Sequence, residues 1–520
     1  MFKKRLTVKA AGSVLLLSTL ISACSNSGGT SASGNNGNNA KSETPTKISI
    51  MLGQQTADAL PTDNVVLKEI EKRTNTILEL NWVPINNYDE KANVTLASGN
   101  MPDLMLINDI FQPLVRTMAA QGAFWDLTPF FKDYKNISSL PKETLENSKI
   151  NGKNYGIPRV RPLEGGGWMP LVRKDWLDKL GMKPPETMDD MYNVMKAFTE
   201  KDPEGNNKND TYGVSSYVTS DSMGNLQWVE EVFNGTTGGT VGAPLWKLKD
   251  GKLTPTALEP GTRDALIWLN KAYTEKLISP DFAIMKPSQA ADEVKGGKAG
   301  IVGATMQPQW LYTEPNLKTN PKADFYPLPY LTGPFGKWAP KDTGFYGMFV
   351  IPKTVPEAKV RKILAFMDYG FTDEGSDLAN YGFKDVHYTE NNGFKVATEQ
   401  AKKDMVAQNV LGQLYGKYDK YSRAFLTGIP KEMYDRNSQV LDERAKVSIP
   451  DPTTGVLSDT YQKVGKDFDK KIQDIKTKVI MGKANIAEWD AFVNTLKSDP
   501  NYQKIIAEMN DSYQKKLSGK

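Results

Sequence analysis

The sequence predicts an α/β fold with two lobes that are joined by crossing segments. The chain has 520 residues, which is too many for one hydrophobic core and suits two. Strand-like and helix-like segments alternate in the first part of the chain, as they do in a parallel sheet with helices on its faces. A glycine run also separates two extended segments, and a crossing between lobes needs a piece that absorbs dihedral change.

The chain begins with a basic head and a short apolar run. Lys3, Lys4, Arg5 and Lys9 precede the run, and small residues follow it just before Cys24. This order is typical of a secretory signal, and the run is shorter than the roughly 20 residues that span a bilayer. The spacing to Cys24 resembles that of bacterial lipoprotein signals, in which the cysteine is lipidated. We therefore predict a lipoprotein signal peptide at 1–24; the alternative is a plain secretory signal with an incidental cysteine.

The single cysteine and the charge balance limit what the rest of the chain does. Cys24 cannot form an internal disulfide, so a lipid anchor is its most economical role and stability must come from burial. Residues 25–47 are rich in Ser, Gly and Asn and predict a flexible tether. The basic residues of the signal account for the net charge of +4, which leaves no strong field to attract nucleic acid.

The first lobe is predicted to start directly after the tether. Its segments are a strand at 47–52, a helix at 63–76 with Asp63 as N-cap, a strand at 77–85, a helix at 88–97 and a strand at 104–107. Ligands bind at the carboxyl ends of strands in such sheets, which places Gln54, Gln55, Asn108 and Asp109 where a ligand would meet them. The alternative is that these four are ordinary loop residues.

Two segments are predicted to cross between the lobes. The first contains Gly165, Gly166, Gly167 and Trp168, between extended pieces that end at Pro158 and resume at 170–173. The second is the proline-rich stretch 325–338, and a floppy surface loop is the alternative for the glycine run. Between the two crossings we expect helices at 175–181 and 263–276 and a turn into a buried strand at 296–302. After the second crossing we expect a strand at 344–351, a helix at 357–369 and a mostly helical remainder.

Several motifs give the chain a resemblance to a known family. They are "NGKNYGIP" at 151–158, "RKDWLDKLGMKPPETMDDM" at 173–191, "LASGNMPDLM" at 96–105, "LISPDF" at 277–282 and "FTDEGSDLANYGFKDVHY" at 371–388. Together they resemble the family 1 extracellular solute-binding proteins of carbohydrate ABC importers, especially the lipoprotein branch with alginate-oligosaccharide-binding proteins. The resemblance implies a two-lobed, periplasmic-binding-protein-like fold of type II. We assign 48–158 and 344–381 to the first lobe, and 159–343 and 382–520 to a second, helix-rich lobe.

An acidic loop after the helix near residue 200 predicts a calcium site. Oxygen ligands at alternating positions of a loop converge on one hard cation, with a backbone carbonyl between them. The candidate ligands are Asp202, Glu204, Asn206, the carbonyl of Lys208, and Asp210. Position 12 of the loop is Gly213, so no bidentate Glu closes the shell. The family resemblance implies a similar structural calcium; the alternative is a solvated turn.

The sequence contains none of the common catalytic motifs for hydrolysis, nucleotide binding or zinc binding. His387 is the only histidine, which excludes a multi-histidine metal site, and we interpret it as structural. The sequence has 61 acidic residues, so neighbouring acidic pairs are expected by chance and do not indicate a catalytic pair. We therefore predict that the protein is not an enzyme.

Aromatic residues in irregular stretches, together with two arginines, predict a sugar site. Aromatic planes pack against the C–H faces of sugar rings, and a guanidinium binds a carboxylate through two parallel hydrogen bonds. For any single aromatic residue the alternative is a place in the core. The candidate set is Tyr155, Arg159, Arg161, Trp168, Trp228, Trp246, Trp310, Trp338 and Tyr346.

The sequence thus predicts a monomeric, lipid-anchored binding protein on the extracytoplasmic face of a bacterial cell membrane. Such a protein closes around a neutral or acidic oligosaccharide and delivers it to the permease subunits of an ABC importer. Two other interpretations remain open at this point. One is a surface lipoprotein that degrades polysaccharides as a lyase or glycosidase, and the other is a peptide-binding lipoprotein.

Overall fold

A computed structural model describes residues 44–54, 56, 59–238, 245–391, 394–406, 410–426 and 428–518. The residues from Pro45 onward form one compact unit. The predicted signal peptide, its Cys24 and nearly all of the tether lie outside the described residues.

The strands pair in three sheets and two hairpins. They are β1 (Thr46–Gln54), β2 (Thr76–Pro84), β3 (Leu104–Ile107), β4 (Gly156–Val160), β5 (Met169–Arg173), β6 (Tyr212–Val214), β7 (Trp246–Lys249), β8 (Lys252–Pro255), β9 (Ala299–Ala304), β10 (Phe325–Pro327), β11 (Leu331–Gly333), β12 (Gly336–Lys341), β13 (Phe345–Val350), β14 (Tyr388–Asn391), β15 (Phe394–Ala397) and β16 (Ser448–Pro450).

The helices cover the faces of the sheets and fill the C-terminal part. They are α1 (Val65–Thr74), α2 (Tyr88–Ser98), α3 (Pro113–Ala120), α4 (Lys135–Ser138), α5 (Lys142–Asn147), α6 (Lys174–Lys179), α7 (Met188–Glu200), α8 (Gln227–Asn234), α9 (Pro260–Thr274), α10 (Pro287–Lys295), α11 (Gln309–Asn316), α12 (Glu357–Gly370), α13 (Asp373–Tyr381), α14 (Glu399–Lys403), α15 (Lys431–Arg444), α16 (Lys466–Ile480), α17 (Ile486–Ser498) and α18 (Pro500–Leu517).

The first sheet has the strand order β2-β1-β3-β13-β4. As the alternation of strands and helices predicts, β1 runs parallel to both β2 and β3. Strand β13 comes from much later in the chain and lies antiparallel between β3 and β4. Its insertion means that the first sheet is built from two separate stretches of sequence.

The second sheet has the order β10-β5-β9-β6, in which β5 is antiparallel to both of its neighbours and β6 is parallel to β9. A third, small sheet has the order β11-β12-β16, and the pairs β7–β8 and β14–β15 form hairpins. The hairpin β14–β15 is a correction, because the sequence predicts a mostly helical remainder after residue 382.

Buried side chains separate into two main hydrophobic clusters. The first core takes residues from 48–157, 348–379 and 401–415, and the second core takes residues from 169–339 and 456–509. Two smaller clusters remain: one contains Leu171 and Phe325, and the other, which we call the third cluster, joins Met306 to Ala424, Val440 and Leu441. Residues 401–415 therefore pack in the first core, although they follow position 382 in the chain.

Local sequence signals explain where several helices begin and end. The Asn64 side chain accepts the backbone N–H groups of Val66 and Leu67 and caps α1. The sequence predicts Asp63 for this role, one residue too early. Helix α1 ends at Asn75 in the left-handed conformation (φ 50°), which Asn tolerates better than most residues.

Candidate functional site

A cleft of about 770 Å³ lies where segments of the first core meet the third cluster. Its wall includes the end of β4 with the one residue that follows, the face of α13, the start of β15, residues 412–425 and the start of α15. A volume of this size is usual for a small-molecule site. The cleft is mostly polar, with four aromatic rings among its lining residues.

Three connecting segments run beneath this cleft. The first is 161–168, between β4 and β5; the second is 342–344, between β12 and β13; the third is 416–423, between the first core and the third cluster. The first two run side by side: the N–H of Asp342 donates to the carbonyl of Leu163 at 2.6 Å, and that of Arg161 donates to Gly344 at 2.8 Å. The stretch 325–338, predicted as the second crossing, instead lies mainly within β10, β11 and β12.

The glycine run is needed for close packing. A Cβ atom on Gly166 would lie 2.0 Å from Oδ2 of Asp342, and one on Gly167 would lie 2.3 Å from Cβ of Pro340. Only Gly165 of the three has a positive φ, at 79°. The glycine run therefore allows the first connecting segment to lie against the second. This packing requirement is separate from the backbone flexibility that the sequence predicts for the run.

Four charged groups meet at these segments. Arg161, Asp342 and Arg423 each come from a different connecting segment, and Arg159 is the penultimate residue of β4. The Nη2 atom of Arg423 lies 3.6 Å from Oδ2 of Asp342. Burial raises the pKa of Asp342 and outweighs the opposite effect of Arg423. Burial, followed by repulsion from Arg159 and Arg423, lowers the pKa of Arg161 to about 9.

The other cations of the cleft have carboxylate partners. Lys395 lies 2.6 Å from Asp377, Lys431 lies 2.6 Å from Asp435, and Lys417 lies 2.5 Å from Asp373 on the adjoining helix α13. Among the described residues, no carboxylate forms an ion pair with Arg159 or Arg161. The charges of the three lysines are thus compensated by carboxylates. Those of Arg159 and Arg161, which we call the arginine floor of the cleft, are not.

Aromatic rings form one side of the cleft. Phe394, Phe425 and Tyr434 meet edge to face or nearly so, with centroid distances of 5.4, 5.8 and 6.3 Å. Tyr381 lies under the ammonium of Lys395, which is 4.5 Å from its ring centroid. Such rings offer flat apolar faces next to polar groups, as sugar binding requires.

Of the nine predicted sugar-binding residues, only Arg159 and Arg161 line this cleft. Trp228, Trp246 and Trp338 are buried in the second core, with exposed fractions of 0, 4 and 1%. For these three the structure favours the alternative of core packing, because helix and sheet faces cover their rings. The Trp338 indole also donates to the carbonyl of Thr236 at 2.8 Å.

The other four predicted residues lie elsewhere. Trp310 is 7% exposed and is close to Gly428, while Tyr155 packs against the first core. Trp168 is half-buried and meets Tyr217 edge to face at 6.1 Å. Tyr346 is 55% exposed and lies 6.0 Å from the Arg159 guanidinium, so it stands closest to the arginine floor.

The aromatic wall and Arg423 escape prediction from sequence. The segment "KYDKYSRAF" at 417–425 is dense in aromatic and basic residues, and this is the signal that identifies it in retrospect. Tyr381 and Asn380 fall in the motif at 371–388, which carries part of the family resemblance. Phe394 carries no distinguishing local signal.

Residues predicted from the carboxyl ends of the strands make local contacts instead. Asn108 donates to Asp89 at 2.8 Å, and Asp109 accepts the N–H of Phe111 at 2.9 Å. Gln54 donates to the carbonyl of Thr56 at 3.0 Å. Gln55 lies outside the described residues. These contacts fit the ordinary-loop alternative.

His387 is buried and has two partners. Its Nδ1 accepts the N–H of Phe383 at 2.9 Å, and its Nε2 lies 2.9 Å from Oδ2 of Asp404. The accepted hydrogen bond leaves Nε2 to carry the proton of the neutral ring and to donate it. This arrangement fixes the turn after α13 and agrees with a structural role.

The predicted calcium loop folds around Asp202. The carboxylate of Asp202 accepts the backbone N–H groups of Gly205, Asn206 and Asn207 at 2.8–3.1 Å. Although desolvation opposes them, these donors hold the pKa of Asp202 below its ordinary value. Desolvation, with repulsion from Asp210 and Asp202, raises the pKa of Glu204.

The side-chain amide of Asn206 bridges the remaining acids of the loop. Its nitrogen lies 3.2 Å from Glu204 Oε2 and 3.3 Å from Asp210 Oδ1. The described residues contain no cluster of three or more His, Cys, Asp or Glu side chains placed to hold a metal ion. An ion at this loop would therefore depend on the amide and carbonyl oxygens as well as the acids.

Two α/β cores, three connecting segments and a polar, aromatic-walled cleft at their junction define a two-lobed ligand-binding protein. The chain belongs to the bacterial extracellular solute-binding protein family, whose model matches residues 53–377. Proteins of this family bind solutes and are not enzymes. Within the described ranges, none of the helices combines the length and apolar character of a membrane-crossing helix.

Two curated relatives from Bacillus subtilis (strain 168) match most of the chain. Lipoprotein LipO is 33% identical over 460 residues, covering 86% of this chain and 88% of LipO. The polygalacturonan/rhamnogalacturonan-binding protein YtcQ is 30% identical over 511 residues, covering 96% and 97% of the two chains.

Solved structures share the fold. The HMO-binding, ABC-transporter-associated solute-binding protein from Bifidobacterium longum infantis has a TM-score of 0.72 at 18% identity, covering 91% of this chain and 99% of the other. An EF-hand mutant of the Streptococcus pneumoniae substrate-binding protein FusA, in complex with fructo-nystose, has a TM-score of 0.65 at 19% identity, covering 91% and 100%. The predicted two-lobed fold class is confirmed.

Proposed function

We propose that this protein captures an oligosaccharide in the cleft and delivers it to the permease subunits of an ABC importer. The cleft itself is the observation that carries this proposal: about 770 Å³, with an aromatic wall, amide groups and charged side chains. YtcQ and FusA, named for polygalacturonan and fructooligosaccharide respectively, support oligosaccharides as the ligand class.

The lining residues suit the two faces of a sugar. Phe394, Phe425 and Tyr434 offer rings for the C–H faces, while Asn380 and Gln413 offer planar amides for the hydroxyls. A ligand that contacts both walls favours the closed arrangement of the lobes over the open one, and closure needs no other driving force. We propose that the three connecting segments are the hinges.

The lobe boundaries are part of the same proposal. We keep 48–158 and 344–381 in the first lobe and most of 159–343 in the second, with changes of lobe at the first two connecting segments. Arg159 and Val160 stay with β4 in the first lobe. The packing of residues 401–415 in the first core supports a third change of lobe at 416–423.

Binding can be tested by titrating the full-length chain in detergent with neutral and uronic oligosaccharides by calorimetry. We expect one class to bind in a one-to-one complex and to raise the midpoint of thermal unfolding, because ligand binds only the folded state. The ligand should be recovered chemically unchanged. Binding of peptides, with no response to any sugar, would overturn the proposal.

We also propose that the loop at 202–210 binds calcium. Asp202, Glu204, Asn206 and Asp210 lie together, and rotation of the Asn206 amide by half a turn would present its oxygen to the ion. The FusA structure named as an EF-hand mutant supports a calcium site in a relative. Asp202→Asn should abolish any rise in the unfolding midpoint with calcium. An equal rise in the variant would contradict this site.

Finally, we propose that Cys24 carries a lipid and anchors a monomeric protein to the outer face of the cell membrane. LipO, a lipoprotein, supports this anchor. The test is fractionation of the producing bacterium: the native chain should stay with membranes and Cys24→Ser should be released. Release of both forms would contradict lipidation, and a dimer mass in light scattering would contradict the monomer.

A further inference from the structure

We propose that the cleft selects a carboxylated oligosaccharide, and that one uronate carboxylate is bound between Arg161 and Arg423 where the three connecting segments meet. This inference rests on the proposed function and assigns the charge of the ligand and the residues that bind it. Arg423 is added to this site by its position in the structure, since it is not among the residues that we predict from the sequence.

The charge balance of the cleft carries the argument. Six cationic side chains and three carboxylates line it. Each of the three lysines pairs with a carboxylate, although Asp373, the partner of Lys417, lies outside the lining. The remaining lining carboxylate, Asp419, accepts the backbone N–H of Tyr421. The uncompensated charge therefore belongs to Arg159, Arg161 and Arg423.

Asp342 does not balance these three arginines. It pairs with Arg423 across 3.6 Å, but it is absent from the residues that line the cleft. A Cβ on Gly166 would touch its Oδ2, so the first connecting segment packs over it. Asp342 thus pairs with only one of the three guanidinium groups, and it does so from outside the lining of the cleft.

Unused hydrogen-bond donors give a second, independent observation. The Nε atoms of Arg159 and Arg423 are buried and have no hydrogen-bond partner among the described residues. Arg161 donates through Nη1 to the carbonyl of Val160. Buried guanidinium donors without acceptors are costly, and a ligand oxyanion would satisfy them.

The surroundings favour a carboxylate on a sugar over a bare anion. A planar carboxylate matches the guanidinium fork through two parallel hydrogen bonds. The aromatic wall of Phe394, Phe425 and Tyr434 lines the same cleft, which suits the ring that bears the carboxylate. A small inorganic anion would leave that wall unused.

The site also links ligand charge to the hinge. Arg161 and Arg423 repel each other from different connecting segments, and this repulsion contributes to the lowered pKa of Arg161. A carboxylate between them replaces repulsion with two attractions. Binding of the anion should therefore hold the segments in one arrangement.

The test compares ligands that differ only in charge, using the full-length chain in detergent. The probes are an oligogalacturonate, an oligomer of alginate, the methyl ester of the first, a sulfated oligosaccharide and a neutral one. We expect a uronate to bind more tightly than its ester by about 30-fold or more, as a charged hydrogen-bonded contact implies. Its affinity should also fall with salt.

Variants locate the contact. Arg161→Gln and Arg423→Gln should each lower the affinity for the uronate by about 30-fold, while the affinity for the ester changes by less than about threefold. Arg361→Gln is the matched control, because Arg361 is a half-exposed arginine on α12 with its own partner, Glu357. Thermal unfolding without ligand shows whether each variant is folded. If one of the two variants does not fold, the other still tests the site.

The outcomes separate this inference from the proposed function. Equal affinity for the uronate and its ester, or tight binding of only the neutral oligosaccharide, overturns the carboxylate site and leaves sugar capture intact. Tighter binding of the sulfated oligosaccharide overturns the assignment to carboxylate. If no sugar binds at all, the proposed function itself fails.

Discussion

Lys476 and Glu230 form a buried ion pair that joins α16 to α8, with 2.6 Å between Nζ and Oε2. The side chains are 10% and 4% exposed. The other carboxylate oxygen of Glu230 accepts the hydroxyl groups of Thr256 and Thr262 at 2.9 and 2.8 Å. The pair thus joins two helices of the second core, and both carboxylate oxygens of Glu230 are hydrogen-bonded.

Removing one partner of this pair should be strongly destabilising. Lys476→Met leaves the Glu230 carboxylate buried without its counter-charge, and we expect the free energy of unfolding to fall by about 3–5 kcal/mol. Urea denaturation at pH 7 measures it. Lys478→Met, at an exposed site on the same helix, is the control and should stay within about 0.5 kcal/mol of the native chain. Equal losses in the two variants would show that the pair contributes nothing.

Glu231 should give the protein a measurable pH dependence. Burial raises its pKa from 4.5 to about 8, although Gln227 and the N–H of Gly238 donate to the carboxylate. The folded state therefore binds a proton that the unfolded state releases, and stability from this group falls as pH rises between these values. The slope reaches about 1.4 kcal/mol per pH unit.

The variant Glu231→Gln isolates this effect. It keeps the shape of the side chain and removes the titration, so its stability relative to the native chain should increase from about pH 4.5 to pH 8. Glu314→Gln, at an exposed glutamate, is the control. Parallel stability curves for Glu231→Gln and the native chain would contradict the raised pKa.

Substitution of an aromatic residue in the core should lower stability, whereas substitution of one in the cleft should lower ligand affinity. Trp338→Phe removes the hydrogen bond to Thr236 and part of the packing, and we expect a loss of about 2 kcal/mol in stability with unchanged ligand affinity. Phe425→Ala should lower affinity about tenfold with a much smaller loss of stability. Calorimetry and urea denaturation check both. A change in affinity with Trp338→Phe would return that residue to the binding site.

A side chain at Gly166 should disturb the connecting segments. In Gly166→Ala the new Cβ would overlap Asp342, so either segment must shift, at a cost of about 1–3 kcal/mol. Gly416→Ala is the control on the third connecting segment, since its Cβ would meet no atom within 4 Å. Equal thermal midpoints for the two variants would contradict the tight packing.

The sequence predicts those parts of the fold that depend on local pattern. The alternation of segments at 47–107 gives the parallel strands β1, β2 and β3, and the family motifs give the two-lobed class. The strand at 344–351 and its assignment to the first lobe are also predicted, but its place between β3 and β4 is not, because that place depends on pairing with strands far away in the chain. The hairpin β14–β15 is missed for a different reason, because its strands are neighbours in the chain, pair only with each other and fall in a stretch that we assigned to the helical remainder.

The site is less predictable than the fold. Trp228 and Phe425 are both large aromatics near turns, and nothing local tells which ring is covered. Tertiary packing decides it: Trp228 meets Trp268 within the second core, whereas Phe425 meets Phe394 at the cleft. Arg159 and Arg161 are predictable because they flank a glycine-rich crossing, and Arg423 is not.

The insertion of β13 between β3 and β4 has a consequence for how the chain matures. A polypeptide that emerges from its N-terminus presents β1 to β4 long before Phe345–Val350 becomes available. Until then β3 and β4 have no strand between them, and their edges stay open to other chains. The first sheet can close only after most of the second core has emerged. Assembly is therefore late and concerted, and the nascent chain depends on protection of its unpaired edges until β13 arrives.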